Sequence, residues 1–237
     1  MTRESGASRR RLLRAGLLAP VFLAADRSRL GWAMQAPKQQ AGEQEVSTVE
    51  DLMREHGVLR RVLLVYAEAI RRIERKAEFP PGAVADAAGI VRKFVEDYHE
   101  KLEEDYLFPR FRKAGTLVDL VTTLNEQHQR GRALTGDIQR LATAAALKDA
   151  ANRDKLRDRM QLFIRMYEPH AAREDTVLFP TFKKLVSPKE YDALGDEFEK
   201  KEQDLFGDGG FEKNVDLVTG LEKQMGVYDL AQFTARA

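Results

Sequence analysis

His99-Glu-Lys-Leu-Glu103-Glu-Asp-Tyr-Leu-Phe-Pro-Arg-Phe111 and His170-Ala-Ala-Arg-Glu174-Asp-Thr-Val-Leu-Phe-Pro-Thr-Phe182 are two versions of one theme. In each, a histidine precedes a glutamate by four residues and Leu-Phe-Pro-x-Phe follows. Residues four apart share a helix face, so His99 projects with Glu103 and His170 with Glu174. Each theme has a second histidine upstream: His56 lies 43 residues before His99, and His128 lies 42 residues before His170. These are all the histidines of the chain. The near-equal spacing predicts two helix pairs related by a pseudo-twofold axis, better than two separate domains.

The surrounding periodicity is helical throughout. Ser47 is placed to cap a first helix, with Glu50 at the capping-box position. Leu52, His56, Leu59, Leu63, Tyr66, Ile70 and Ile73 then recur at three- and four-residue steps, until Phe79-Pro-Pro-Gly82 ends the pattern. A second helix from about position 84 carries Val91, Val95, Tyr98, His99, Leu102 and Tyr106, with Pro109 and Gly115 bracketing the turn after it. A third, from near Thr116, carries Val121, Leu124, His128, Thr135, Ile138 and Leu141. The fourth begins within 151–154 and carries Leu156, Met160, Phe163, Tyr167, His170, Glu174 and Val177. Pro169 is expected to kink it and Pro180 to close it. Short connections favour an all-α, antiparallel up-down-up-down four-helix bundle over residues 47–185. Residues 186–237 read as a C-terminal helical extension. Its helices fall at 189–205 and 211–225, separated by Gly207-Asp-Gly-Gly210, and a packing or partner-contact tail follows at 227–234.

Composition narrows the function. The 237 residues are 43% apolar and 32% charged, enough for a bundle core with a polar exterior. The formal charge of +1 is unevenly spread, since residues 1–36 hold seven arginines and two acids. The remainder has 32 basic and 36 acidic residues, so no basic excess points to nucleic acid. The chain has no cysteine, which excludes disulfides, thiolate metal sites and cysteine nucleophiles. Residues 1–36 pair a basic run, Ser8-Arg-Arg-Arg-Leu-Leu-Arg14, with a short apolar run at 15–25 that is too short to span a bilayer comfortably. Arg9-Arg10 resembles the twin-arginine export signal, which implies the twin-arginine machinery as a partner. The expected location is the periplasm or the exterior, or a membrane tether if the leader stays uncleaved. Residues 37–46 read as a polar linker.

Four imidazoles and two carboxylates inside one bundle suit a binuclear metal site. Neutral imidazole supplies nitrogen ligands, and carboxylate supplies charge and can bridge two cations. The mixed nitrogen and oxygen set fits iron, with manganese or zinc also compatible. Glu100, Glu104 and Asp175 stand near enough to compete as carboxylate ligands. Glu55, Glu126 and Glu168 read mostly as solvated helix-face charges. A ferritin-like carboxylate site would need Glu-x-x-His on two helices. Glu96-x-x-His99 supplies one, but Asn125 and Tyr167 stand where the second would need a glutamate.

With these residues in view, the chain resembles the hemerythrin-like, HHE cation-binding family over roughly residues 46–185. The family pattern maps onto His56, His99 with Glu103, His128, and His170 with Glu174. The resemblance implies a four-helix bundle around two non-haem iron ions. It further implies Glu103 and Glu174 as bridges, His56 and His99 on one iron, and His128 and His170 on the other. Asp175 offers an alternative spacing to Glu174, but the matched proline register of the two repeats favours Glu174. One position departs from the oxygen-carrying members. They have a further histidine four residues after the third-helix one, and here that residue is Arg132, which argues against reversible oxygen carriage.

The implied function is a di-iron protein that binds or senses dioxygen, nitric oxide or peroxide, with peroxide consumption as an extension of that chemistry. The alternatives are iron storage or handling, and a structurally metallated interaction module without turnover. No sequence feature names an organic substrate or an oligomeric state.

Overall fold

The computed structural model describes residues 46–235. The twin-arginine-like segment 1–36, and all of the 37–46 linker except Val46, lie outside the described residues. Among the described residues every regular element is helical, and no helix is long and apolar enough to cross a membrane.

Helix α1 spans Thr48–Glu74. Glu50 reaches back to the Ser47 N–H at 3.5 Å, completing the capping box. Its predicted stripe from Leu52 to Ile73 is buried, His56 included. The next helix starts earlier than its apolar pattern suggests, at Pro81, because proline is at home in a first turn where its missing N–H costs nothing. Arm α2 runs over 81–114 and ends at Gly115, whose φ of 65° is a left-handed cap. Helix α3 spans Val118–Leu141. Arm α4 runs over 150–185, and Ala150–Arg173 passes through Pro169 as one helix.

The sequence pattern ends the second and fourth helices near Pro109 and Pro180, but the structure carries both arms through. The reason is a change of winding just before each proline. Glu103–Leu107 and Glu174–Leu178 are π-helical. There the Phe108 N–H reaches the Glu103 carbonyl and the Phe179 N–H reaches the Glu174 carbonyl, each five residues back. An interior proline in an α-helix leaves one carbonyl without its donor and clashes with it. A widened turn lets each proline stand instead at the start of a fresh α segment, Phe108–Ala114 or Phe179–Leu185. A longer π stretch, Val91–His99, precedes the first of these in α2.

The four arms pack in a ring: α1 on α2, α2 on α3, α3 on α4, and α4 on α1. Phe111 and Phe182 meet at one end, centroids 6.0 Å apart and both fully buried. Burying a side chain of this size contributes about 1.5–3 kcal/mol. The extension forms α5, Pro188–Phe206, and α6, Gly210–Met225. Both pack on α1; α6 also lies on the start of α2, and α5 on its Val91–His99 segment.

Candidate metal centre

Each of the four arms delivers one histidine to the core, and none of the four is more than 4% exposed. The rings fall into two pairs, His56 with His99 (centroids 4.6 Å apart) and His128 with His170 (5.0 Å). The outward nitrogen of every ring is held. His56 Nδ1 meets Asp175 at 2.7 Å, His99 Nδ1 meets Glu55 at 2.7 Å, His128 Nδ1 meets Glu104 at 3.1 Å, and His170 Nδ1 meets Gln127 Oε1 at 2.8 Å. A carboxylate or amide oxygen accepts, so each Nδ1 donates and each Nε2 faces inward. This is the arrangement by which a protein orients an imidazole for a cation. The Leu-Phe-Pro-x-Phe repeats add a flat face to two rings. Phe179 stacks on His56 and Phe108 on His128, each at 5.5 Å with planes 22° apart.

Glu103 and Glu174, both fully buried, lie between the pairs. Each sends one oxygen toward each pair. Glu174 Oε2 is 3.3 Å from His56 Nε2, and its Oε1 is 3.1 Å from His170 Nε2. Glu103 Oε1 is 3.9 Å from His99 Nε2, and its Oε2 is 3.4 Å from His128 Nε2. All four carboxylate oxygens and His128 Nε2 are nevertheless buried without a hydrogen-bond partner. The Nε2 atoms of His56 and His99 face each other at 3.0 Å. Burying this many acceptors unsatisfied is costly. Cations remove the cost, because inward imidazole nitrogens and carboxylate oxygens are ligands for divalent iron, manganese or zinc. Among the described residues four groupings have the spacing to hold a metal ion, and two of them are built from these six residues alone: Glu103, His128, His170 and Glu174; and His56, His99 and Glu103. The residues present fit a metal pair.

The electrostatics of the metal-free protein express the same strain. Burial and the nearby charge of Glu174 push the Glu103 carboxyl well above its usual range. Burial works against the Glu174 carboxylate too, but His170 and His56 outweigh it and hold that group well below its usual range. Burial lowers the His128 imidazole to about 4. His56 moves the other way, to about 9, because Asp175 and Glu174 overcome its burial.

All six residues singled out in the sequence, His56, His99, Glu103, His128, His170 and Glu174, converge here. Three competing carboxylates stand elsewhere. Asp175 and Glu104 contact the outer nitrogens of His56 and His128. Glu100 is buried and accepts the Tyr167 hydroxyl at 2.6 Å. The sequence reading missed Glu55, which is buried at 2% exposure rather than solvated. The apolar stripe makes its neighbour His56 the inward residue, yet α1 turns both toward the core. Arg132 pairs with Glu100 at 2.9 Å and Glu104 at 2.7 Å, so it faces the carboxylates rather than solvent.

A model of the hemerythrin HHE cation-binding domain matches residues 47–182, with a second, overlapping match over 119–207. The chain belongs to the hemerythrin HHE cation-binding family. Uncharacterised proteins of Mycobacterium tuberculosis and Mycobacterium bovis are similar to it, each 49% identical over 194 residues, covering 81% of this chain and 76% of the relative. No solved structure matches it. Membership in the HHE family accords with the buried histidine–glutamate cluster: this is a metal-binding chain, and iron is the ion its family context favours.

Proposed function

We propose that this HHE protein carries two non-haem iron ions and uses them to bind or sense dioxygen, nitric oxide or peroxide. The observation that carries the reading is the split of each buried carboxylate, one oxygen toward each histidine pair. That geometry supports Glu103 and Glu174 as bridges, His56 and His99 on one ion, and His128 and His170 on the other. The ring of packed arms supports an up-down-up-down bundle around them. When bound, an iron pair supplies redox chemistry and a position where a small oxidant can attach. The chain's own groups do the rest. Asp175, Glu55, Glu104 and Gln127 keep the imidazoles aligned. Phe108, Phe179 and the buried core exclude bulk water. Glu104, held near 2 because His128 and Arg132 outweigh its burial, stays ionised beside His128.

Near-complete burial of the six residues supports a second reading, a metal held for storage or for stability alone. The Arg9-Arg10 leader supports delivery of the folded domain by the twin-arginine route to the periplasm or beyond.

The test is metal analysis and optical spectroscopy of chain purified without chelators, followed through reduction and then addition of dioxygen, nitric oxide and peroxide. Two irons per chain with ligand-dependent bands are expected. Continued peroxide consumption would mark an enzyme. Iron bound without any ligand response would hand the case to the storage or structural reading.

A further inference from the structure

A line of contacts leads from the C-terminal helices to one histidine of the centre. Glu55 Oε2 takes the His99 Nδ1 contact at 2.7 Å. Its other oxygen, Oε1, accepts the Tyr98 hydroxyl at 3.2 Å. Tyr98 is 1% exposed, and α5 sets its position. The Phe206 ring meets it edge-on with centroids 5.6 Å apart, while the Phe198 carbonyl and Glu202 Oε2 each lie 3.5 Å from its hydroxyl. Glu202 is in turn fixed by the first turn of α6, where the Phe211 N–H donates to its Oε1 at 2.7 Å. Gly210 permits that approach, since a Cβ there would lie 2.8 Å from both Cγ and Oε1 of Glu202.

These contacts serve one histidine pair. On the opposite side, Glu104 is held by Lys101 and Arg132, which belong to α2 and α3, and Gln127 stands on α3 itself. The Tyr98 hydroxyl also sits where charge needs managing, because Asp51, Glu55 and Glu202 present oxygens within 4.8 Å of one another. A hydroxyl proton directed at Glu55 keeps that carboxylate in place as the acceptor for His99.

We propose that α5 and α6 are a working part of the metal centre. Tyr98 and Glu202 act as positioning residues that fix Glu55 and, through it, His99. The extension thereby sets how firmly the ion at His56 and His99 is retained, and leaves the ion at His128 and His170 alone. This inference rests on the two-ion reading above. Loss of an outer partner of a metal-bound histidine typically costs 10–100-fold in affinity. Tyr98 stands one contact further out, so its loss belongs at the lower end.

The experiment uses the full chain loaded with ferrous iron and follows its release to a chromogenic chelator. Tyr98→Phe keeps the ring against Phe206 and removes only the hydroxyl. Gly210→Ala crowds Glu202 and Phe206, both on α5, while changing no residue of the four arms. Glu104→Gln marks the release phase that belongs to the His128 and His170 ion. In both Tyr98→Phe and Gly210→Ala one of two irons should leave about tenfold faster, in the phase that Glu104→Gln does not accelerate. Release of both irons at the wild-type rate, equal acceleration of both, or acceleration of the Glu104→Gln phase would each overturn the inference while the two-ion reading stands. A wild-type chain that binds fewer than two irons would bring down both.

Discussion

The Tyr167 hydroxyl occupies the space that any side chain at position 131 would need: a Cβ built on Gly131 would lie 1.9 Å from the hydroxyl oxygen. Tyr167 lies against His170, centroids 5.3 Å apart, and its hydroxyl is committed to Glu100. Gly131 therefore sets the position of a core residue beside the centre. Gly131→Ala should destabilise the domain by about 1–3 kcal/mol, the usual cost of overpacking. The penalty should shrink in a Tyr167→Phe background, where the nearest clashing atom is gone. Thermal melts of the two single variants and the double variant check this; strictly additive losses would contradict it.

Metal removal should lower stability. The buried acceptors of Glu103 and Glu174 have no protein partner to satisfy them, and an ion that binds only the folded state stabilises it in proportion to its affinity. At a free metal concentration 1,000 times Kd the gain is about 4 kcal/mol. Calorimetric melts with and without chelator should show the loaded form unfolding at the higher temperature.

Glu103→Gln should separate stability from binding. An uncharged amide at a fully buried position removes the burial penalty that pushes the Glu103 carboxyl well above its usual range, so the metal-free variant should melt above metal-free wild type. The same change removes a negative ligand, so metal content should fall and the gain on adding iron should largely vanish. A variant that melts lower than wild type in both states would show that Glu103 supports the fold in another way.

Proton competition should follow the His56 shift. In the metal-free protein Asp175 and Glu174 overcome the effect of burial and raise this imidazole from 6.5 to about 9. The ion pairs that hold its proton stabilise the metal-free fold fully below pH 6.5, and that contribution is lost as pH rises toward about 9. A ligand must be deprotonated to bind metal. Metal uptake at neutral pH should therefore release a proton from this site, and apparent affinity should rise with pH up to about 9. Titration calorimetry in buffers of different ionisation enthalpy measures the release directly.

The sequence made the convergence of four histidines and two glutamates legible because they sit in a doubled spacing on apolar stripes. The outer set was harder to read. Glu55 adjoins the inward His56, and a one-residue step along a helix turns a side chain by about 100°, so it reads as a flank. His99 and Tyr98 of the second arm stand against it, with Glu202 of α5 close by, a tertiary fact that helical periodicity does not carry. Asp175 shows the converse: a carboxylate one residue after Glu174 looks like a rival ligand until the neighbouring arm α1 supplies His56 to receive it. The helix ends expected near Pro109 and Pro180 fail for a local reason, since a π turn before each lets the proline open a fresh α segment.

Those π turns give the centre a mechanical dimension. Each uses one residue more than an α turn would, which swings all that follows by about 100°. That swing brings Phe108 over His128 and Phe179 over His56 while Glu103 and Glu174 still face inward. Deleting one residue from 104–107 or 175–178 would act like a crankshaft, leaving the upstream histidine and glutamate where they are and turning the aromatic cover away. The six-residue step from glutamate to proline, the same in both arms, is therefore a working length of the site.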